Sequence, residues 1–229
     1  MFQSYVSKLK LARIERQQAA AVSMRKPTLV TCVGLMVAVA LAILDAPEIR
    51  PHHHFLEGGG ITYLSALFLA VAAGQAGTAF FLARIGSQRR VLNYFWLLSA
   101  LGFGFFALDE LMEFHELVGG KLGDRQDQAP LFFRSWNDLI VILYGIVAIG
   151  VCLTFLPEIL RVPGFAPLCA TGGVCYVIHT MVDSMSFARS NLTMMVEESA
   201  KLSSSAFFGL AYFAAVVGMS RESGPPTTP

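Results

Sequence analysis

Six long apolar runs, at about residues 27–46, 61–84, 91–111, 138–157, 165–183 and 202–219, leave this chain little choice of environment. Crossing a bilayer as a helix takes roughly 20 apolar residues, and each run is close to that length. Lipid offers no hydrogen bonds, so every segment must satisfy its own backbone, and a helical bundle follows. The expected fold class is therefore all-α: a polytopic bundle of six transmembrane helices. Only 14% of the residues are charged, where a soluble domain carries about 25%. The runs use most of the 229 residues, so no sizeable soluble domain is expected. The chain divides into a cytoplasmic amphipathic segment (1–26), the membrane domain (27–219) and a tail (220–229) of disordered composition, ending Gly224-Pro225-Pro226-Thr227-Thr228-Pro229.

The net charge of +1 hides a strong asymmetry. Residues 1–26, 84–90, 158–164 and 220–229 hold eleven Lys and Arg but three acids, Glu15, Glu158 and Glu222. The other connections and span ends hold the remaining six Lys and Arg, thirteen acids and all five histidines. Lys and Arg near span ends stay in the cytoplasm, so both termini are expected there. An even number of spans agrees. The expected location is a bacterial inner membrane, with the acidic end facing the periplasm.

Residues 1–26 lack the short basic start and small-residue cleavage site of a secretory signal and read as the leader of a signal anchor. Phe2, Val6, Leu9 and Ile14 fall near one helical face with Lys8, Lys10, Arg13 and Arg16 around it. That pattern suits a helix on an anionic leaflet as well as it suits a frayed basic leader. The four cysteines, Cys32, Cys152, Cys169 and Cys175, all lie in spans without CxxC spacing and read as packed free thiols. Gly74, Gln75, Gly77 and Thr78 in the second span read as a point where helices approach closely, and the third span contains Gly102 and Gly104.

The residues that could carry chemistry gather at the acidic end. The third span is expected to continue as a helix past the membrane surface until Gly119 and Gly120 stop it. At 100° per residue, Asp109, Glu113 and Glu116 share a face, Glu110 lies beside it, and His115 points roughly the other way. Stacked carboxylates repel unless a cation, a basic side chain or a raised pKa relieves them. His179 and Asp183 sit at i, i+4 on the fifth span, above Cys175 and Gly172, and that stripe is expected to face a neighbouring helix. Glu198, Lys201, Ser205 and Tyr212 share a face of the sixth span, where Glu197 is placed to pair with Lys201. Asp138 opens the fourth span, where an acid also suits the helix dipole.

At one depth these positions could close into a cup. Its candidate metal ligands are Asp109, His115, Glu116, Asp138, His179 and Asp183, with Glu113 or Glu198 as the general base. A carboxylate and imidazole mixture suits zinc, manganese or iron, and a bound ion would lower the pKa of a water nucleophile. The Glu-x-x-His signature of di-metal bundles is absent. So is the His-x-x-x-His pair that marks ceramidase-like membrane hydrolases, of which His179 to Asp183 is only a partial echo. His52, His53 and His54 are consecutive on a loop, cannot easily converge on one ion, and read as a solvated or adventitiously metal-binding loop.

Three function classes follow. A metal-dependent hydrolase at the outer face is supported by the cup. A non-catalytic subunit of a larger membrane complex, or a homo-oligomer, is supported by the small size and the 18 phenylalanines. An ion or proton transporter ranks third, because the inner halves of the spans offer little beyond Gln75, Asn93, Thr154 and Thr171. The expected partners are lipid and membrane proteins, not nucleic acid.

Overall fold

The computed structural model describes residues 2–18, 23–85, 90–123, 135–184 and 190–222. They form α1 (Phe2–Gln18), α2 (Arg25–Leu44), α3 (Gly60–Ile85), α4 (Arg90–Met112), α5 (Phe114–Gly123), α6 (Trp136–Ile159), α7 (Phe165–Ser184) and α8 (Asn191–Glu222), with one 3-10 turn at His53–Phe55. Six of them, α2, α3, α4, α6, α7 and α8, are long and apolar enough to cross a membrane. The protein is an integral, multi-pass, all-α membrane protein. Asp124 to Arg134, including the polar stretch Asp124-Arg125-Gln126-Asp127-Gln128, and the tail beyond Glu222 lie outside the described residues.

The spans alternate in direction. Arg25, Arg84, Arg161 and Arg221 share one end of the bundle, and Asp109, Asp138, His179 and Glu198 the other. These are called the basic and the acidic end below.

In lipid the transfer of apolar surface contributes little to helix association, so close packing has to hold the bundle together. The sequence supplies it through alanine. Ala72, Ala76, Ala79 and Ala83 form a fully buried stripe down α3, which packs mainly on α4 and α8. Ala206, Ala211, Ala214 and Ala215 do the same on α8. The glycines expected to play this role do not. A Cβ at Gly74 or Gly77 would meet nothing within 4 Å, so neither marks a close helix contact, and the same holds for Gly102 and Gly104. Gly172 is the one on the predicted stripe that matters: a Cβ there would lie 2.9 Å from the Phe208 ring. The Ser204 hydroxyl donates to the Gly172 carbonyl at 2.9 Å. The stripe of α7 therefore faces α8, as expected.

An aromatic core joins α4, α7 and α8. The Trp96 ring centroid lies 5.4 Å from Phe165 and 5.7 Å from Tyr212, and Phe165 lies 5.0 Å from Tyr212, all edge to face. Such pairs contribute about 0.5–1.5 kcal/mol each beyond their contact area. By contrast α2 and α6 leave most of their apolar length outside the bundle. α6 is tied to it by the Tyr176 hydroxyl, which donates to the Val141 carbonyl at 2.8 Å, and by Tyr144 against Phe105.

α1 is a formed helix, and of the apolar face expected on it Val6 and Leu9 dock while Ile14 does not. Tyr5, Val6, Leu9 and Ala12 turn toward the body, while Leu11 and Ile14 are exposed. The anchor has a covalent cause. Pro157 sits inside α6 and has no N–H, so the Leu153 carbonyl loses its donor one turn on. The Tyr5 hydroxyl donates to that carbonyl at 2.6 Å. Tyr5→Phe is expected to cost the dock about 1 kcal/mol. The measurement is limited proteolysis in detergent, with cleavage between α1 and α2 quickening about fivefold. An unchanged rate would show that the hydroxyl does not hold α1.

Candidate acid–base site at the acidic end

The third span does not run straight through the carboxylate cluster. α4 stops at Met112, and Glu113 takes φ of 53°, the one non-glycine residue among those described with a positive φ. A left-handed backbone costs a residue with a Cβ roughly 1–2 kcal/mol. Glu113 N–H still donates to the Asp109 carbonyl at 2.8 Å, and the Glu113 carbonyl accepts from Leu117 N–H at 3.0 Å, so helix resumes at once as α5. Gly119 and Gly120 do not end this helix. α5 passes through both, and buried Gly119 rests on Asn137 at the start of α6.

The turn at Glu113 overturns the expected helical wheel. His115, which a straight helix would point away, folds back onto Asp109. The His115 backbone N–H donates to Asp109 Oδ1 at 2.9 Å, and the ring Nδ1 lies 3.0 Å from Asp109 Oδ2. One carboxylate, only 7% exposed, thus holds His115 by its backbone amide and by its ring, and fixes which ring nitrogen it faces. Burial opposes the charged ring, but the hydrogen bond and charge of Asp109, with Glu116 and Glu110, outweigh it and hold His115 above its usual pKa.

Beside this pair lies an ion cluster. Lys201 Nζ sits 2.7 Å from Glu110 Oε1 and 2.8 Å from Glu198 Oε1. The Thr62 hydroxyl is shared between Glu198 Oε2 at 3.4 Å and the Leu56 carbonyl at 3.3 Å. The cluster ties α4, α8, α3 and the loop before α3 together. Lys201 therefore pairs with Glu198 at i, i+3 and with Glu110 across the bundle, rather than with Glu197 as the spacing implied. The face Glu198, Lys201, Ser205 and Tyr212 does turn inward, as expected.

The other candidates serve different ends. Asp138 closes a capping box. It accepts from Ser135 N–H at 3.0 Å and from the Ser135 hydroxyl at 2.7 Å, while Asp138 N–H donates back at 3.3 Å. Both its oxygens are engaged by the helix start, which accounts for an acid at this position. His179 is buried in α7, hydrogen-bonded to the Glu197 backbone, and its Nδ1 has no partner. Asp183 lies half-buried one turn further along α7. Glu116 shares a hydrogen bond with Glu57. Burial, that bond and the charges of Glu57 and Glu113 push the Glu116 carboxyl up to about 7, against the opposing pull of His115. His54 Nε2 lies 3.0 Å from Asp45 Oδ2, and Phe55 plugs the loop into the bundle. Among the described residues, no three His, Cys, Asp or Glu side chains are gathered to hold a metal ion.

Glu110, Lys201, Thr62 and Glu57 are the site residues that sequence reasoning passed over or misassigned. Only the inward face of α8 carried a signal for one of them, Lys201.

Residues 28–216 match the family described as Domain of unknown function (DUF8692). The chain belongs to this family. The matched region holds every residue of the acidic-end cluster and leaves out α1. No curated protein and no solved structure matches the chain.

The raised values at Glu116 and His115 have a consequence for stability. Both mean that the folded protein binds protons more tightly than the unfolded chain. The contribution is complete at low pH. It is lost as pH rises from the ordinary 4.5 of Glu116 through about 7, and from the ordinary 6.5 of His115 through its raised value. The unfolding temperature of purified protein is expected to fall between about pH 5 and pH 8. Glu116→Gln should flatten the lower part of that decline. A curve that rises over this range would contradict the assignment.

Proposed function

We propose that the protein is a membrane-embedded hydrolase working at the acidic end of the bundle, on the periplasmic face of a bacterial inner membrane. The observation that carries this reading is the two-point grip of Asp109 on His115, held by a strained residue at Glu113. Backbone strain of this kind collects where geometry serves function. With Nδ1 facing a carboxylate, the ring's other nitrogen is a base that can take a proton from water, the orienting arrangement used in acyl-transfer triads. The substrate in this reading is an amphiphile whose ester or amide sits at headgroup depth.

The reading works with or without a bound ion. Among the described residues His115 Nε2 and His179 Nδ1 have no hydrogen-bond partner; were they to hold zinc, manganese or iron, His115 would be a ligand and not the base. The Glu198 carboxylate is held by Lys201, which argues against it as the base, and Glu113 serves through its backbone.

The test uses full-length protein in lipid nanodiscs, a panel of ester- and amide-bearing lipids, and mass spectrometry of the products. Turnover by wild type, reduced at least about a hundredfold in His115→Ala and Asp109→Asn, is the expected result. His115 must be unprotonated to act, so the rate should climb with pH above the ordinary 6.5, and Asp109→Asn should move that limb downward. Metal content of wild type against His179→Ala and Asp109→Ala separates base from ligand. Wild type no faster than His115→Ala on every lipid would sink the hydrolase.

The second reading is a non-catalytic subunit. It draws on the outward apolar faces of α2 and α6, including Val30, Met36, Leu41, Ile146 and Val147. Transport stands third. Gln75 Oε1, within α3, and Asn93 Oδ1, near the basic end of α4, are buried without hydrogen-bond partners and form no relay among the described residues.

A further inference from the structure

At the basic end, far from the acid–base site, α2 stands away from the bundle and leaves a cleft of about 510 Å³ against the start of α7. The cleft is an open groove along the lipid-facing surface and not an enclosed cavity. Its walls are apolar: Met24 and Leu29 on one side, Pro167 and Leu168 on the other. Its floor is shaped by Gly164, where φ is +79° and a Cβ would come within 3.3 Å of the Met24 side chain. A bulkier residue there would be strained and would crowd the cleft.

The mouth is cationic. Arg25 lines it and Lys26 follows, both exposed and in no ion pair recorded among the described residues. Arg161, the nearest-placed alternative on the 160–164 turn, is already paired with Glu158. The first turn of α2 also lacks a side-chain cap, since Met24 at its start has no side-chain acceptor for an N–H. Its free N–H groups and the positive end of the helix dipole add to the attraction for an anion. An apolar slot under two unpaired cations, at the end of a membrane helix, matches one chemistry: a phosphodiester joined to an acyl chain.

The geometry points to an anionic glycerophospholipid bound between α2 and α7, its phosphate on Arg25 and Lys26 and one acyl chain in the cleft. The site wedges the loosely packed α2 against the bundle, which α2 otherwise touches only lightly. The basic residues supply headgroup selectivity, and the cleft fixes where the chain lies.

Native mass spectrometry of the full chain, with phosphatidylglycerol or phosphatidylcholine added in detergent, tests this. Wild type is expected to retain phosphatidylglycerol preferentially. The Arg25→Ala/Lys26→Ala double variant should lose roughly fivefold per charge, following the usual value of a basic residue at an anionic membrane. Thr28→Trp keeps both charges but fills the slot, and should also cut retention at least fivefold. Equal retention of the two lipids by wild type, or no loss in the double variant, overturns the proposal. Loss in the double variant with none in Thr28→Trp overturns the cleft, leaving only attraction of headgroups to exposed cations.

Discussion

Replacing Lys201 by methionine is expected to destabilise the bundle by about 3–5 kcal/mol, the usual cost of stranding buried charge. The reason lies in the count of partners. Lys201 Nζ is within 2.8 Å of two carboxylates, and the side chains of Glu110 and Glu198 are only 14% and 5% exposed. Without the ammonium, two acids from α4 and α8 face each other with little water to separate them. Either one takes up a proton or the helices part. The effect should be read by thermal unfolding in a fixed detergent. The triple variant Lys201→Met/Glu110→Gln/Glu198→Gln supplies the decisive comparison, because removing every charge is far cheaper than removing one partner. Recovery of most of the lost stability in the triple variant is expected. A Lys201→Met protein as stable as wild type would mean that the cluster is solvated and carries little energy.

The second large effect belongs to Trp96. It is fully buried, touches the Phe165 and Tyr212 rings edge to face, and offers its Nε1 no acceptor. Trp96→Ala empties on the order of 100 Å³, which at about 24 cal/mol per Å³ of cavity gives a loss of roughly 2–3 kcal/mol. The transfer contribution known from soluble proteins is small here, since the unfolded reference is also in lipid. Trp96→Phe should cost much less. It keeps an aromatic edge in the core and removes an N–H that has no partner. Unfolding midpoints of the two variants check this. Equal losses would show that the indole N–H finds a partner in lipid or water.

Apolar length made the spans legible. The six runs correspond to α2, α3, α4, α6, α7 and α8, because crossing lipid is a requirement each segment meets alone. The main error in extent is at α8, which begins at Asn191 well before its apolar run, since Glu198 and Lys201 are buried against other helices rather than solvated. The site was legible only as a neighbourhood. Its internal pairings depended on one backbone dihedral at Glu113, and no periodicity signals a left-handed glutamate. A straight wheel puts His115 opposite Asp109, while the bent one joins them. The same limit applied to Lys201. Local spacing offered it Glu197, and only the packing of α4 on its far side supplied Glu110. In α3 alanine, rather than Gly74 or Gly77, proved to mark the close helix contacts, because both are small and the wheel alone did not say which face turned inward.

The bend at Glu113 also sets a mechanical rule for this end of the molecule. A glycine there would let the backbone visit either hand, and α5 could swing as a gate over the imidazole. A glutamate has one narrow well on that side of the map. α5 is therefore carried on a bracket rather than a hinge, with Gly119 seated on the foot of α6 as its second fixing. The His115 side chain, still 22% exposed, is thus presented to its surroundings by a fixed arm and not uncovered by a moving one.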